Sequence, residues 1–133
     1  MATLTNLDVL AQLREALGQK GEWRLNDGAG SFVEAWPQGS ERAAAQGWKL
    51  HVSAVPQSAR KVLEQALSVL AAERVAFKVA RSLDVLVSLN EGTSGLSQVG
   101  KFITVYPDDD ARAVRLAVEL DEATAGLLSL IHI

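Results

Sequence analysis

The sequence predicts an α+β domain: a mixed sheet made of strand–helix repeats, with helices on one face and a cleft on the other. Three observations carry this. From Trp48 onward, extended segments of six to eight residues alternate three times with stretches of helical periodicity. Those segments hold charged residues, unlike the near-continuous apolar runs of a parallel sheet buried on both faces. The chain has 133 residues, 48% of them apolar, enough for one core without a disulfide or metal staple.

Leu4, Leu7, Leu10 or Ala11, Leu13 and Leu17 recur at helical spacing, predicting a helix over 3–17 with Asn6 and Asp8 near its start and Gly18 as its stop. Glycines 21, 28, 30, 39 and 47 punctuate the next stretch, which reads as irregular or as a hairpin of Glu22–Leu25 and Phe32–Trp36. Trp48–Val55 is the first clear strand, with Trp48 expected to anchor the core. Pro56 suits the first turn of a helix whose apolar face is Val62, Leu63, Ala66, Leu67 and Leu70. Val75–Ala80 is a second strand, and Ser82 caps a short helix carrying Leu83, Leu86 and Leu89. After a Gly/Ser loop over 91–100, Lys101–Tyr106 is a third strand. Pro107 and Asp108-Asp-Asp110 open a helix to about Ala125, the carboxylates favoured by the helix dipole. The expected division is 1–45 for the N-terminal helix and irregular segment, 46–126 for the core, and 127–133 for an apolar tail that reads as truncated or foreign.

Composition narrows the function. Thirteen basic residues stand against 16 acidic ones, a formal charge of −3, which argues against nucleic acid or an acidic membrane as partner. The absence of cysteine excludes thiolate metal sites, disulfides and a thiol nucleophile, and two histidines make a histidine-rich metal site untenable. The N-terminus lacks the basic region and long apolar core of a signal peptide, and no uncharged run reaches membrane-spanning length. A soluble, cytoplasmic protein is expected.

Side chains alternate between the faces of a strand. Lys49, His51 and Ser53 therefore share one face of the first strand, and Lys78 stands among Ala76 and Ala80 in the second. Thr104 and Tyr106 share a face of the third, with Lys101 pointing the other way if it already lies in that strand. Polar residues on an open sheet face are ordinary, and a lone strand lysine is usually solvated. The coincidence argues otherwise: of five lysines in the chain, three lie in or at the start of the three best strands, where lysine is depleted. If the strands are neighbours, Lys49, His51, Lys78 and Tyr106 meet. Histidine suits proton donation near neutral pH, a lysine flanked by alanines and Phe77 is open to desolvation that makes it a base, and further lysines supply fixed charge for an anion. Base, acid and anion holder suit elimination from a phosphorylated substrate, and equally simple anion binding.

Two other patterns fail. Gly95-Leu-Ser-Gln-Val-Gly-Lys101-Phe102 has the glycine–lysine spacing of a P-loop, but Phe102 replaces the required Ser or Thr, and the motif precedes a strand rather than a helix. Asp108–Asp110 reads more simply as a helix start than as a metal site.

The ordered blocks Gly47-Trp-Lys-Leu-His-Val-Ser-Ala54, Phe77-Lys-Val-Ala80, Leu89-Asn90 and Ser97-Gln-Val-Gly-Lys-Phe-Ile-Thr-Val-Tyr-Pro107 resemble the N-terminal, RamC-like lyase domain of class III lanthionine synthetases, itself similar to phosphothreonine lyases. The resemblance covers about 46–126 well and the first 45 residues loosely. It implies a module that eliminates phosphate from phosphoserine or phosphothreonine of a precursor peptide, leaving a dehydroamino acid. It also implies kinase and cyclase domains of the same polypeptide as partners, with ATP or GTP used by the kinase and no cofactor in this domain. By motif, Lys78 corresponds to the base, His51 to the acid that protonates the departing phosphate, Lys49 to a phosphate or carbonyl contact, and Tyr106, with Lys101 beside it, to the substrate-binding part. One departure stands out: many relatives place a phosphate-binding arginine ten residues before the tyrosine, and this chain has Leu96. The alternative reading is a non-catalytic module of the same enzyme that binds a leader peptide or docks the kinase.

Overall fold

The computed structural model describes residues 8–18, 22–28, 30–40, 47–92, 101–127 and 131–132. In chain order these form α1 (Val9–Leu17), β1 (Trp23–Asn26), β2 (Phe32–Pro37), β3 (Leu50–Val52), α2 (Ala59–Glu73), β4 (Ala76–Ala80), α3 (Leu83–Glu91), β5 (Ile103–Tyr106), α4 (Asp110–Ala123) and β6 (Ile131–His132). The fold is α+β, around an open sheet in the order β1-β2-β4-β5-β3-β6.

Among the described residues every ladder is antiparallel, whereas the alternation of strands and helices in the sequence predicts a mixed sheet. The helix α2 does carry the chain back, so that β3 and β4 run in the same direction. They are not neighbours, however, because β5 lies between them and runs the opposite way. A split crossover of this kind gives antiparallel neighbours from strand–helix repeats.

Local chemistry explains the element ends. The Asp8 side chain accepts from the Ala11 amide at 3.0 Å and starts α1, which buries Val9, Leu13 and Leu17 along one stripe. Residues 1–7, part of the expected first helix, lie outside the described residues. The glycine-punctuated stretch is a hairpin: Phe32-Val-Glu-Ala-Trp-Pro37 alternates half-buried and buried positions, and β1 and β2 pair along Trp23↔Pro37 to Asn26↔Glu34. Pro56 precedes α2 rather than opening it. The Ser58 hydroxyl bonds the Val55 backbone instead of the first helical amides, so the turn is completed before Ala59. Ser82 caps α3 by accepting from the Val85 amide, and Asp109 caps α4 by accepting from that of Arg112.

One face of the sheet is apolar. Val33 and Ala35, Phe77 and Val79, Ile103 and Val105, and Leu50 and Val52 are all buried, in one cluster with Leu63, Leu67 and Leu70 of α2 and Leu116 and Leu120 of α4. Trp23 packs edge-on against Phe77, ring centroids 5.9 Å apart. Trp48 does not anchor this core. It is 44% exposed, and its indole Nε1–H donates to Asp110 Oδ1 at the start of α4. The strand expected from Trp48 begins only at Leu50. Gly47 turns the chain at φ +128° just before, leaving the indole outside, where its N–H reaches a carboxylate.

Candidate active site

The second face carries the polar residues, and the register brings them into one row. Glu34 of β2 lies opposite Lys78 of β4, Lys78 opposite Thr104 of β5, and Thr104 opposite His51 of β3. Directly paired residues share a face, and adjacent strands are about 4.8 Å apart. Lys78 and His51, two strands apart, are therefore separated at the backbone by roughly 10 Å, with Thr104 between them.

Each group is held by its neighbours. His51 Nδ1 lies 3.3 Å from Thr104 Oγ1, and Thr104 is only 2% exposed. Lys78 Nζ sits 4.4 Å from the centroid of the Phe32 ring, two residues before Glu34 on the same face. The Asn26 amide Nδ2 donates to Glu34 Oε1 at 3.2 Å. Tyr106, opposite Ala76, lies two residues along from Thr104.

Burial and then the nearby Lys49 ammonium hold the Lys78 amine below the ordinary lysine value, with Lys101 adding to the depression and Glu34 opposing it. Burial, reinforced by the Glu34 carboxylate, pushes the Tyr106 hydroxyl above its ordinary value. A lysine shifted toward its neutral form is a competent proton acceptor, and the surrounding cations favour an anionic ligand.

The sequence-chosen residues are thus brought to one region, with two adjustments. Lys49 is exposed and precedes β3, two residues from His51. Lys101 lies ahead of β5 rather than opening the strand, yet its charge reaches Lys78. Leu96 and the P-loop-like run up to Gly100 lie outside the described residues. Glu34 is not among the residues that the sequence singles out. Its signal was the strict alternation of Phe32-Val-Glu-Ala-Trp36, obscured by the flanking glycines. Strand alternation puts Thr104 on this face, and its place between Lys78 and His51 comes from the register. Among the described residues, no group of three or more His, Asp or Glu side chains could hold a metal ion, and no helix is long and apolar enough to cross a membrane.

Comparison with known proteins bears on the family and the fold. The chain is 42% identical over 82 residues to a probable SapB synthase of Streptomyces coelicolor, an overlap of 62% of this chain and 9% of that protein. The chain thus matches only a small part of this much longer relative. The structure of the phosphothreonine lyase SpvC, an effector protein from Salmonella, superposes with a TM-score of 0.54 over 85% of this chain and 62% of that one, at 17% identity. That likeness establishes a shared fold. The family model described as RamC, N-terminal domain, matches residues 12–129, and the chain therefore belongs to the RamC N-terminal domain family.

Proposed function

We propose that this chain is the phosphate-eliminating domain of a class III lanthionine synthetase, acting on phosphoserine or phosphothreonine of a precursor peptide in lanthipeptide biosynthesis. The observation that carries the reading is the row Lys78–Thr104–His51 across β4, β5 and β3, with the lysine amine shifted toward neutrality. Neutral Lys78 takes the α-proton of the phosphorylated residue. The Cα–H electrons become the second bond of a Cα=Cβ double bond, the Cβ–O bond breaks, and the phosphate leaves with its electron pair. His51 supplies a proton to the departing oxygen, and the Lys49 and Lys101 ammoniums offset the charge that builds on it. Tyr106 lines the substrate side of the same face. The phosphate would be installed by a kinase domain of the same polypeptide using ATP or GTP, and a cyclase domain would use the dehydroamino acid.

Incubation with a phosphoserine peptide, read by mass spectrometry, tests this: loss of phosphoric acid is expected from the wild-type chain and not from Lys78→Met. No loss under conditions where an intact homologue turns over sinks catalysis by this chain. Leu96, apolar where relatives carry an arginine, favours a second reading as a peptide-binding or kinase-docking module. Binding of the precursor peptide by a wild-type chain that shows no turnover, undiminished in Lys78→Ala, is the outcome that selects it.

A further inference from the structure

Lys78 is surrounded by groups from every strand near it. Glu34 faces it from β2, with Asn26 of β1 holding that carboxylate and Arg24 a further position out, opposite Trp36. Thr104 and Tyr106 face it from β5, with Lys101 just ahead of that strand. His51 lies beyond Thr104 on β3, with Lys49 before it. Of all these, Glu34 is the one carboxylate. Directly opposed residues of an antiparallel pair have Cβ atoms about 4.5–5.5 Å apart, so its charge is fixed next to the lysine stem by register and by the Asn26 hydrogen bond. Such placement costs a base some of its neutral fraction, since a neighbouring anion favours the charged amine. It offers in return a counter-charge for the ammonium that the base becomes.

We propose that Glu34 is a positioning residue for Lys78: held by Asn26 across the β1–β2 ladder, its carboxylate is the counter-ion for the ammonium formed when Lys78 takes the α-proton. The proton stays on Lys78 Nζ and the carboxylate remains ionised, so Glu34 sets the strength of the base without touching substrate. This rests on the elimination reading, and its consequences are two-sided. With Glu34 the lysine is a stronger base that is charged up to a higher pH. Without it the lysine is a weaker base, free of its proton at lower pH.

The test compares wild type with Glu34→Gln, which keeps the shape and the oxygen that accepts from Asn26, and Glu34→Asp, which keeps the charge. With a phosphoserine peptide, Glu34→Gln is expected to move the acid limb of the kcat profile to lower pH and to lower its alkaline plateau several-fold, so that the two profiles cross. Glu34→Asp should bring the limb back toward wild type. Independently of turnover, NMR titration of the Lys78 side chain should show its midpoint shifted to lower pH in Glu34→Gln. Asn26→Ala, which frees the carboxylate, should shift it the same way by less. A merely structural role predicts a uniformly lower profile with the limb and the Lys78 midpoint unmoved, and that result overturns the proposal. If no phosphopeptide turns over, the elimination reading fails, and the NMR midpoints still decide whether Glu34 governs Lys78.

Discussion

His51 Nδ1 lies 3.3 Å from the hydroxyl of Thr104, a residue 2% exposed at the centre of the row that joins His51 to Lys78. A buried hydroxyl in that place fixes the imidazole ring relative to β5, and through β5 relative to the lysine on its other side.

Thr104→Val keeps the branched shape that suits a strand and removes this partner of His51. The chain should fold with little change in melting temperature. On the proposed elimination, the rate at saturating phosphopeptide should drop about tenfold, a loss of ~1.4 kcal/mol in transition-state stabilisation. An unchanged rate would show that His51 is oriented without the hydroxyl.

Lys78 contributes to stability with a sign that follows from its shift. An amine whose folded pKa lies below its unfolded one binds fewer protons in the folded state, so stability rises with pH between the two values. The ordinary value is 10.5 and burial is the main cause of the depression. Lys78→Met removes that penalty while keeping an unbranched stem beside Phe32. It should melt at a higher temperature than wild type at neutral pH, and the gap should close as pH rises toward 10.5. A gap that is constant with pH would point to packing rather than charge.

Arg81 fastens the β1–β2 turn to the end of β4. Its Nε donates to the Gly30 carbonyl at 2.8 Å, its Nη2 to the Gly28 carbonyl, and its Nη1 to Asp27 Oδ1 at 2.5 Å. The exposed ion pair contributes little, so the bonds to the turn carbonyls dominate. Arg81→Ala should lower unfolding stability by about 1–3 kcal/mol, read as a lower urea midpoint at unchanged m.

Glu73 and Glu119 sit side by side where α2 and α4 pack and are shifted in opposite directions. A hydrogen bond from Arg115 holds the Glu73 carboxyl below its ordinary value, whereas loss of solvent and the Glu73 carboxylate push that of Glu119 above it. An acid with a raised folded pKa penalises the fold above that value, and the penalty vanishes below its unfolded pKa. Glu119→Gln should therefore raise the melting temperature at pH 7, with the gain fading as pH falls into the ordinary glutamate range. Glu73→Gln should do the reverse, lowering stability at pH 7, because the Glu73 carboxylate stabilises the fold above its unfolded pKa.

The face occupied by His51, Lys78 and Tyr106 was legible in the sequence because strand alternation is a local rule, readable three residues at a time. The resemblance that assigns them roles lies in the same contiguous blocks. The same locality explains the failures. Nothing within Trp48–Val55 reveals that Gly47 turns the chain so that the indole meets Asp110, 62 residues on. Glycines hid Glu34 because their turns lie beside it in sequence, while its partner Lys78 lies far along the chain.

By itself, then, the sequence determined an α+β chain with a thiol-free composition, one polar and one apolar side to each main strand, and membership of a recognisable family. Only the tertiary structure decided that β5 enters between β3 and β4 and that Glu34, Lys78, Thr104 and His51 share one row. Side-chain direction follows from the backbone period of each strand. Strand order and register depend on how Phe77, Val79, Ile103, Val105, Leu50 and Val52 pack together against α2 and α4, a condition no single segment contains.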